Sequence, residues 1–371
     1  MNKLNHWPQY SEEEIIAVSN VLRSSKVNYL FGEEGTLFEK EFSKYTGINY
    51  SIALANGSVA LTCAYLALGL KEGDEIITTP RTFIATSSSA VLLGLKPVFA
   101  DVDINSGCIC PKSIESLITN KTKAICVVHL GGWPAEMNKI KEIAEAFNLF
   151  LIEDCSQAHG AEINEKSVGN FSDIATWSFC QDKIISTGGE GGMITTSSKE
   201  LKEKIWSFKD HGKNYLNYFS NNSSNEFKFI HDSFGTNFRL TEIQSSIGRI
   251  QLKRLNQMRS IRTKNAMILL DILKELKSLR VPLPKKNIRH AWYKFYFYID
   301  KKYLKTSWSR NRIIQEINDS GYSAFSGSCS EIYKEKCFKN YGFFPKKVLK
   351  NAVILGETSI ALLVHPTIDK N

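Results

Sequence analysis

Lys183 lies in WSFCQDKIISTGGEGG (177–192), a few residues past a short aromatic run and just ahead of four glycines. An ordinary lysine amine has a pKa of about 10.4 and is a surface cation at neutral pH. Where burial and neighbouring cations favour the neutral amine, a lysine becomes a nucleophile that forms imines with aldehydes. The glycines let backbone come close to a bound group, although a lone lysine in a loop can equally be structural. Asp154 closes LFLIED (149–154), and Gln157 and His159 follow in DCSQAHGA. A carboxylate at the end of a buried strand needs a partner, which can be a metal, a cationic ring nitrogen or a backbone turn. Asp154, Gln157 and His159 offer too few ligands for a metal site. Asn56-Gly57-Ser58 follow an apolar run and open a helical one. Free N–H groups there make an anion site, and Ser58 reads equally well as a plain helix cap. No G-x-x-x-x-G-K-[ST] occurs, and no G-x-G-x-x-G follows a strand, which excludes P-loop and dinucleotide-binding readings.

These residues hang on an alternating pattern. Apolar runs at 50–55, 75–80, 96–102, 123–130, 148–154, 173–179 and 192–196 read as strands, with amphipathic helices at 58–70 and 135–148 among them. Strands spaced by helices predict a mostly parallel sheet with helices on both faces, and ligands in such sheets bind at the carboxyl ends of the strands. The Asn-, Ser- and aromatic-rich stretch 213–236 reads as a long loop. A long helix is expected over 241–279, a strand over 290–299 and a helix over 309–319. The division into units is placed at 1–248, a large domain, and 249–371, a small C-terminal α/β domain.

With 371 residues, 43% hydrophobic and 23% charged, the chain has an ordinary globular composition and room for about two domains. No apolar run approaches the roughly 18–20 residues that cross a membrane, and the N-terminus carries no apolar signal core, so a cytoplasmic protein is expected. The eight cysteines form no C-x-x-C pair and read as small buried hydrophobes in a reducing compartment. The net charge of +9 is lopsided: residues 249–371 hold 25 lysines and arginines against 9 acids. That excess suits a small polyanion such as a nucleotide diphosphate, or solvated helix faces. Zinc-finger spacing and an RNP1-like strip are both lacking, and nucleic acid is not an expected partner.

A helix start for a phosphate, a strand-end Asp for a ring nitrogen, the aromatic Phe83 in PRTFIAT (80–86) and a lysine for an imine together list the parts of a pyridoxal phosphate site. The chain resembles the DegT/DnrJ/EryC1/StrS group of PLP-dependent nucleotide-sugar aminotransferases. The likeness is carried by ANGSVAL (55–61), GDEIITTPRTFIAT (73–86), PVFADVD (97–103), VVHLGGWP (127–134), IEDCSQAHGA (152–161), SFCQDKIISTGGEGGMITT (178–196) and GTNFRLTEIQSSIGRIQL (235–252). The resemblance implies the type I (aspartate aminotransferase-like) PLP-transferase fold. It implies an imine link from Lys183 to pyridoxal 5'-phosphate, Asp154 on the pyridinium nitrogen, Gln157 on the ring hydroxyl and Phe83 on the ring face. Gly57, Ser58 and Ser178 are implied to hold the phosphate, with Asn237 reaching it from the partner of a homodimer that shares its active sites. Lysine rather than histidine at 183 points away from the family's dehydratase branch.

The implied reaction moves an amino group from L-glutamate to a keto-deoxysugar nucleotide. C4 of a 4-keto-6-deoxy sugar, derived from UDP-N-acetylhexosamine, is favoured, for bacterial lipopolysaccharide or O-antigen. A 3-keto sugar on dTDP or GDP is the alternative, and a non-catalytic PLP-binding regulatory protein is the rival of another class. Arg81, His159, His211, Ser328 and Glu331 are candidate substrate-side residues, each with a structural reading beside it. No metal is expected.

Overall fold

The computed structural model describes residues 6–219 and 230–368. The first part of the chain supplies helices α1 (Glu12–Ser24) and α2 (Glu34–Thr46) and strand β1 (Tyr50–Leu54). Helix and strand then alternate through α3 (Gly57–Ala67), β2 (Glu75–Thr78), α4 (Ala85–Val91), β3 (Lys96–Phe99), α5 (Pro111–Glu115), β4 (Thr122–Val128), α6 (Met137–Ala146) and β5 (Phe150–Asp154). A short hairpin, β6 (Glu162–Ile163) with β7 (Lys166–Ser167), precedes β8 (Ile174–Ser178), β9 (Gly192–Thr196), α7 (Lys199–Lys209) and α8 (Tyr215–Phe219). The central sheet runs β1-β9-β8-β5-β4-β2-β3. β9 lies antiparallel to both neighbours, and the other pairings are parallel.

Side chains alternate across this sheet as a period of two requires. Ile52, Cys126, Ile152 and Ile194 pack with Ala60, Ala64 and Tyr65 of α3 on one face. Ala53, Ala175, Trp177 and Met193 pack with Phe38 and Phe42 of α2 on the other, while Ile125, Val127 and Leu151 pack there with Ile140 of α6. The sequence reading of helices on both faces of a mostly parallel sheet is what these layers show.

The chain continues into α9 (Glu242–Leu273), β10 (Leu279–Arg280), β11 (Ile288–Arg289), β12 (Phe295–Ile299), α10 (Arg310–Asp319), β13 (Ala324–Phe325), α11 (Lys336–Asn340), α12 (Lys350–Thr358) and β14 (Ser359–Leu362). β10, β12, β14 and β13 form an antiparallel sheet in that order. Helix α9 is unbroken across residue 248. Its Leu252, Leu255 and Met258 join the core with Trp177, whereas Ala266, Leu270 and Leu273 pack on the second sheet.

Two boundaries differ from the sequence reading. Helix α9 stops at Leu273 rather than 279, because Leu279 and Arg280 are taken into the ladder with Ile299 and Tyr298. The strand expected from 290 starts at Phe295: the amides of Ala291, Tyr293 and Lys294 donate to the carbonyls of Gly131 and Gly132, and Trp292 is left-handed with φ 51°. Within 213–236, α8 is helical, and 220–229 lies outside the described residues. Among the described residues no helix is long and apolar enough to cross a membrane.

Candidate active site

Loops at the carboxyl ends of the central strands open on a cleft of about 910 Å³, within the usual range for a small-molecule site. After β1, Asn56 turns the chain into α3, its Oδ1 accepting from the Val59 amide at 3.0 Å. The first-turn amides of Gly57 and Ser58 have no intrahelical acceptor. Both residues line the cleft, so the positive end of α3 is presented to it. Only glycine fits at 57, since a Cβ there would lie 2.7 Å from the Ser178 Cβ at the end of β8.

Asp154 is the last residue of β5 and is 5% exposed. Its Oδ2 accepts from Thr86 Oγ1 at 2.9 Å and its Oδ1 from the Ser156 amide at 3.1 Å. Among the described residues it forms no ion pair, so a desolvated carboxylate lines the cleft without a countercharge. Gln157 Oε1 accepts from the Gly131 amide at 2.8 Å. The Gly131 carbonyl in turn accepts from Tyr293 at 3.0 Å and Lys294 at 3.2 Å. Gly132, at φ 95°, has the Trp292 and Tyr293 amides 3.0 Å from where a Cβ would stand. The glycine pair of VVHLGGWP therefore joins Gln157 to the segment entering β12.

Lys183 sits in a turn, its amide donating to the Cys180 carbonyl at 3.1 Å and its carbonyl accepting from Trp7 Nε1 at 2.8 Å. Its Nζ lies 5.2 Å from the centre of the Tyr293 ring, and the Tyr293 hydroxyl donates to Asp182.

The structure brings Lys183, Asp154, Gln157, Gly57, Ser58, Phe83, Ser178 and Ser328 to this one cleft. The remaining expected residues lie elsewhere. Arg81 is fully buried behind the cleft wall, donating to Ser330 Oγ at 2.9 Å with its Cζ 5.5 Å from the Tyr296 ring centre. His159 lies beneath the cleft between Trp177 and Phe179, each ring 5.5 Å away. Burial first, then Lys183 and Arg262, push its pKa down to about 3, which leaves it neutral at pH 7. Glu331 pairs with Lys334 at 2.9 Å and accepts from the Tyr333 hydroxyl. His211 is exposed, its carbonyl accepting from His231 at 2.9 Å. Asn237 pairs with Asp210 through a backbone bridge and does not line this chain's own cleft.

Sequence reasoning missed Trp7, Arg262, Tyr293, Lys294, Tyr296 and His365, all of which line the cleft. The aromatic run HAWYKFYFYI was visible, but as a strand rather than a wall. Elsewhere, His129, Glu153 and Cys155 offer ligand atoms within 4.8 Å of one another. The Glu153 oxygens already accept from His129, Gly169, Phe171 and Ser172, and His129 Nδ1 accepts from Ala135. The group thus has its bonding satisfied within the chain, as a buried structural network does.

The donor set suits pyridoxal phosphate. An amine, a buried carboxylate without a countercharge and a glycine-bearing helix start match an aldehyde, a protonated ring nitrogen and a phosphate.

Residues 8–371 match the model of the DegT/DnrJ/EryC1/StrS aminotransferase family. An aminotransferase structure from Psychrobacter cryohalolentis is 47% identical, covering 99% of this chain and 95% of that one, with a TM-score of 0.97. GDP-perosamine synthase of Escherichia coli O157:H7 is 39% identical over 69% of this chain and 68% of its own. A dTDP-3-amino-3,6-dideoxy-alpha-D-galactopyranose transaminase of Aneurinibacillus thermoaerophilus is 36% identical over 77% of this chain and 75% of its own.

Proposed function

Because the chain belongs to the DegT/DnrJ/EryC1/StrS aminotransferase family and is a PLP-dependent sugar-nucleotide transaminase, we propose that it moves an amino group from L-glutamate to a keto-deoxysugar nucleotide. The favoured acceptor is C4 of a 4-keto-6-deoxy sugar on UDP, for a bacterial surface polysaccharide. One observation carries the reading: Lys183, Asp154 and the start of α3 converge on a single cleft from three separate strand ends. The second reading, a 3-keto acceptor, is kept because two relatives are named for amination at C3 of a sugar nucleotide.

Pyridoxal phosphate, when bound, supplies an electron sink that makes the donor's α-proton acidic. The residues do the rest. Lys183 Nζ would hold the aldehyde group and, when free, would take up the donor's α-proton as general base and give it back as general acid. Asp154, desolvated and held by Thr86 and Ser156, keeps a proton on the ring nitrogen. Gln157, Phe83 and Ser178 orient the ring and its phosphate. The amides of Gly57 and Ser58 take phosphate oxygens. Asn237 serves the neighbouring cleft of a cytoplasmic homodimer, in keeping with its place outside its own.

The test is the visible absorption of PLP-treated protein before and after L-glutamate. A yellow band that gives way on adding L-glutamate supports the reaction, and Lys183→Ala is expected to bind the cofactor reversibly without turnover. Near-wild-type turnover by that variant would falsify the role of Lys183. A screen of keto sugars on UDP, dTDP and GDP then identifies the acceptor.

A further inference from the structure

Arg262, on α9, is 1% exposed and lines the cleft. Among the described residues its Nη1 reaches only two backbone carbonyls, those of Trp292 at 3.4 Å and Tyr293 at 3.5 Å, and its Nε and Nη2 have no partner. The Trp7 ring lies 5.0 Å from its Cζ. A buried, incompletely bonded guanidinium is costly unless something pairs with it. Lys294 lines the same wall, its Nζ 4.8 Å from the Tyr293 ring centre and 5.7 Å from that of Phe325. Among the described residues neither cation forms an ion pair. Asp182, the nearby acid, is engaged by the Tyr293 hydroxyl.

Burial leads the shifts on this wall, and neighbouring cations add to those of Lys294 and His365. Burial, then Arg262 and Lys183, push Lys294 down to about 8, with Asp182 opposing. Burial, then Arg262 and Lys294, push His365 down to about 4. Burial lowers Arg262 itself to about 9. Lys183 Nζ and Lys294 Nζ both stand over the Tyr293 ring, so this charge borders the amine that must meet a substrate.

We propose that Arg262 and Lys294 form a carboxylate-binding subsite, with the guanidinium taking the carboxylate through Nε and Nη2 and the ammonium adding a point charge. A planar fork with two free donors on adjacent nitrogens matches a carboxylate edge to edge, and the phosphate-sized anion already has its place at α3 on another wall. The inference rests on the transaminase reading for its substrates. An amino-acid donor carries its α-carboxylate on the carbon that must approach Lys183, and this wall neutralises it there. A carboxylate on the acceptor sugar is the other source. Trp7, which covers the guanidinium, must shift to admit the group. Its tether to the Lys183 carbonyl and its stacking on His365, 6.1 Å between ring centres, place that shift beside the reacting amine.

The test titrates glutarate, a dicarboxylate with no amine to react, into cofactor-loaded protein by calorimetry. Arg262→Met is expected to weaken binding at least tenfold and Lys294→Met by less. Arg262→Lys is expected to recover part of the loss, and every variant to keep the cofactor's visible band. A KM rise confined to L-glutamate assigns the donor carboxylate. With glutarate affinity unchanged, a KM rise confined to an acidic sugar nucleotide assigns the acceptor carboxylate. Unchanged glutarate affinity and unchanged KM for both substrates in folded variants overturn the subsite. So does weakened binding of UDP alone with glutarate unaffected, which places the diphosphate here instead. A wild-type protein that binds glutarate but keeps its band unaltered by L-glutamate removes the donor reading and leaves the subsite standing.

Discussion

Asp154 and Gly57 each admit a substitution that separates their chemical role from their packing. Asparagine at 154 keeps an oxygen for the Ser156 amide and turns its NH2 toward Thr86 Oγ1, a hydroxyl that can accept, but removes the charge that holds a proton on a ring nitrogen. Asp154→Asn is expected to stay folded and to lose turnover by about 100-fold or more, the scale of removing a group aimed at developing charge. Steady-state rates beside a thermal melt check it, and a fast enzyme would show that the carboxylate is structural. Gly57→Ala sets a Cβ 2.7 Å from that of Ser178, so β8 and the start of α3 must part. The expected cost is about 1–3 kcal/mol of stability, with faster cofactor loss on dialysis than in wild type. A variant that melts as wild type and retains its cofactor would show that the two elements yield freely.

At the scale of elements, what was legible follows from local pattern. The seven central strands stand where short apolar runs stand, because burial on both faces leaves a continuous apolar signature. Apart from Ser328, which follows β13, the cleft residues that were found lie within a few positions of those strand ends. Arg262 was not legible. It sits on a helix rich in lysine and arginine, where a solvated face is the ordinary reading, and contacts distant in sequence, with the segment before β12 and with Trp7, bury it. The same holds for Lys294, whose placement depends on Gly131 and Gly132, some 160 residues earlier. Long-range docking of this kind also governs α12. The Asp101 carboxylate, in the loop after β3, accepts from the Asn351 amide at 3.1 Å and the Ala352 amide at 3.0 Å. It thereby caps a helix 250 residues away and favours its positive end. Asp101→Ala is expected to cost about 1–2 kcal/mol, read as a lowered urea midpoint. An unchanged midpoint would mean that water replaces the cap at no cost.

Over the whole molecule, three buried histidines, His290, His159 and His365, make stability depend on pH. His290, between Trp133 and Trp292, accepts from the Trp292 amide through Nδ1 at 2.7 Å, and burial pushes it down to about 3. His159 lies as low and His365 at about 4, for the reasons given above. Their unfolded values are about 6.5. Because the folded values are depressed, the stability linked to them is fully present above pH 6.5 and is lost as pH falls toward 3. The unfolded chain takes up protons that the folded chain refuses, and each group tilts the curve by up to about 1.4 kcal/mol per pH unit. Glu153 adds to the loss at lower pH: burial raises its pKa, but His129, Gly169 and Ser172 outweigh that and lower it overall. Urea unfolding between pH 7 and pH 5 is therefore expected to show stability falling with an uptake approaching three protons per chain. His290→Asn, which keeps an acceptor for the Trp292 amide, is expected to reduce that uptake by about one. The same slope in wild type and variant would place the titrating group elsewhere, and a flat wild-type profile would mean that the three rings are protonated in the folded chain.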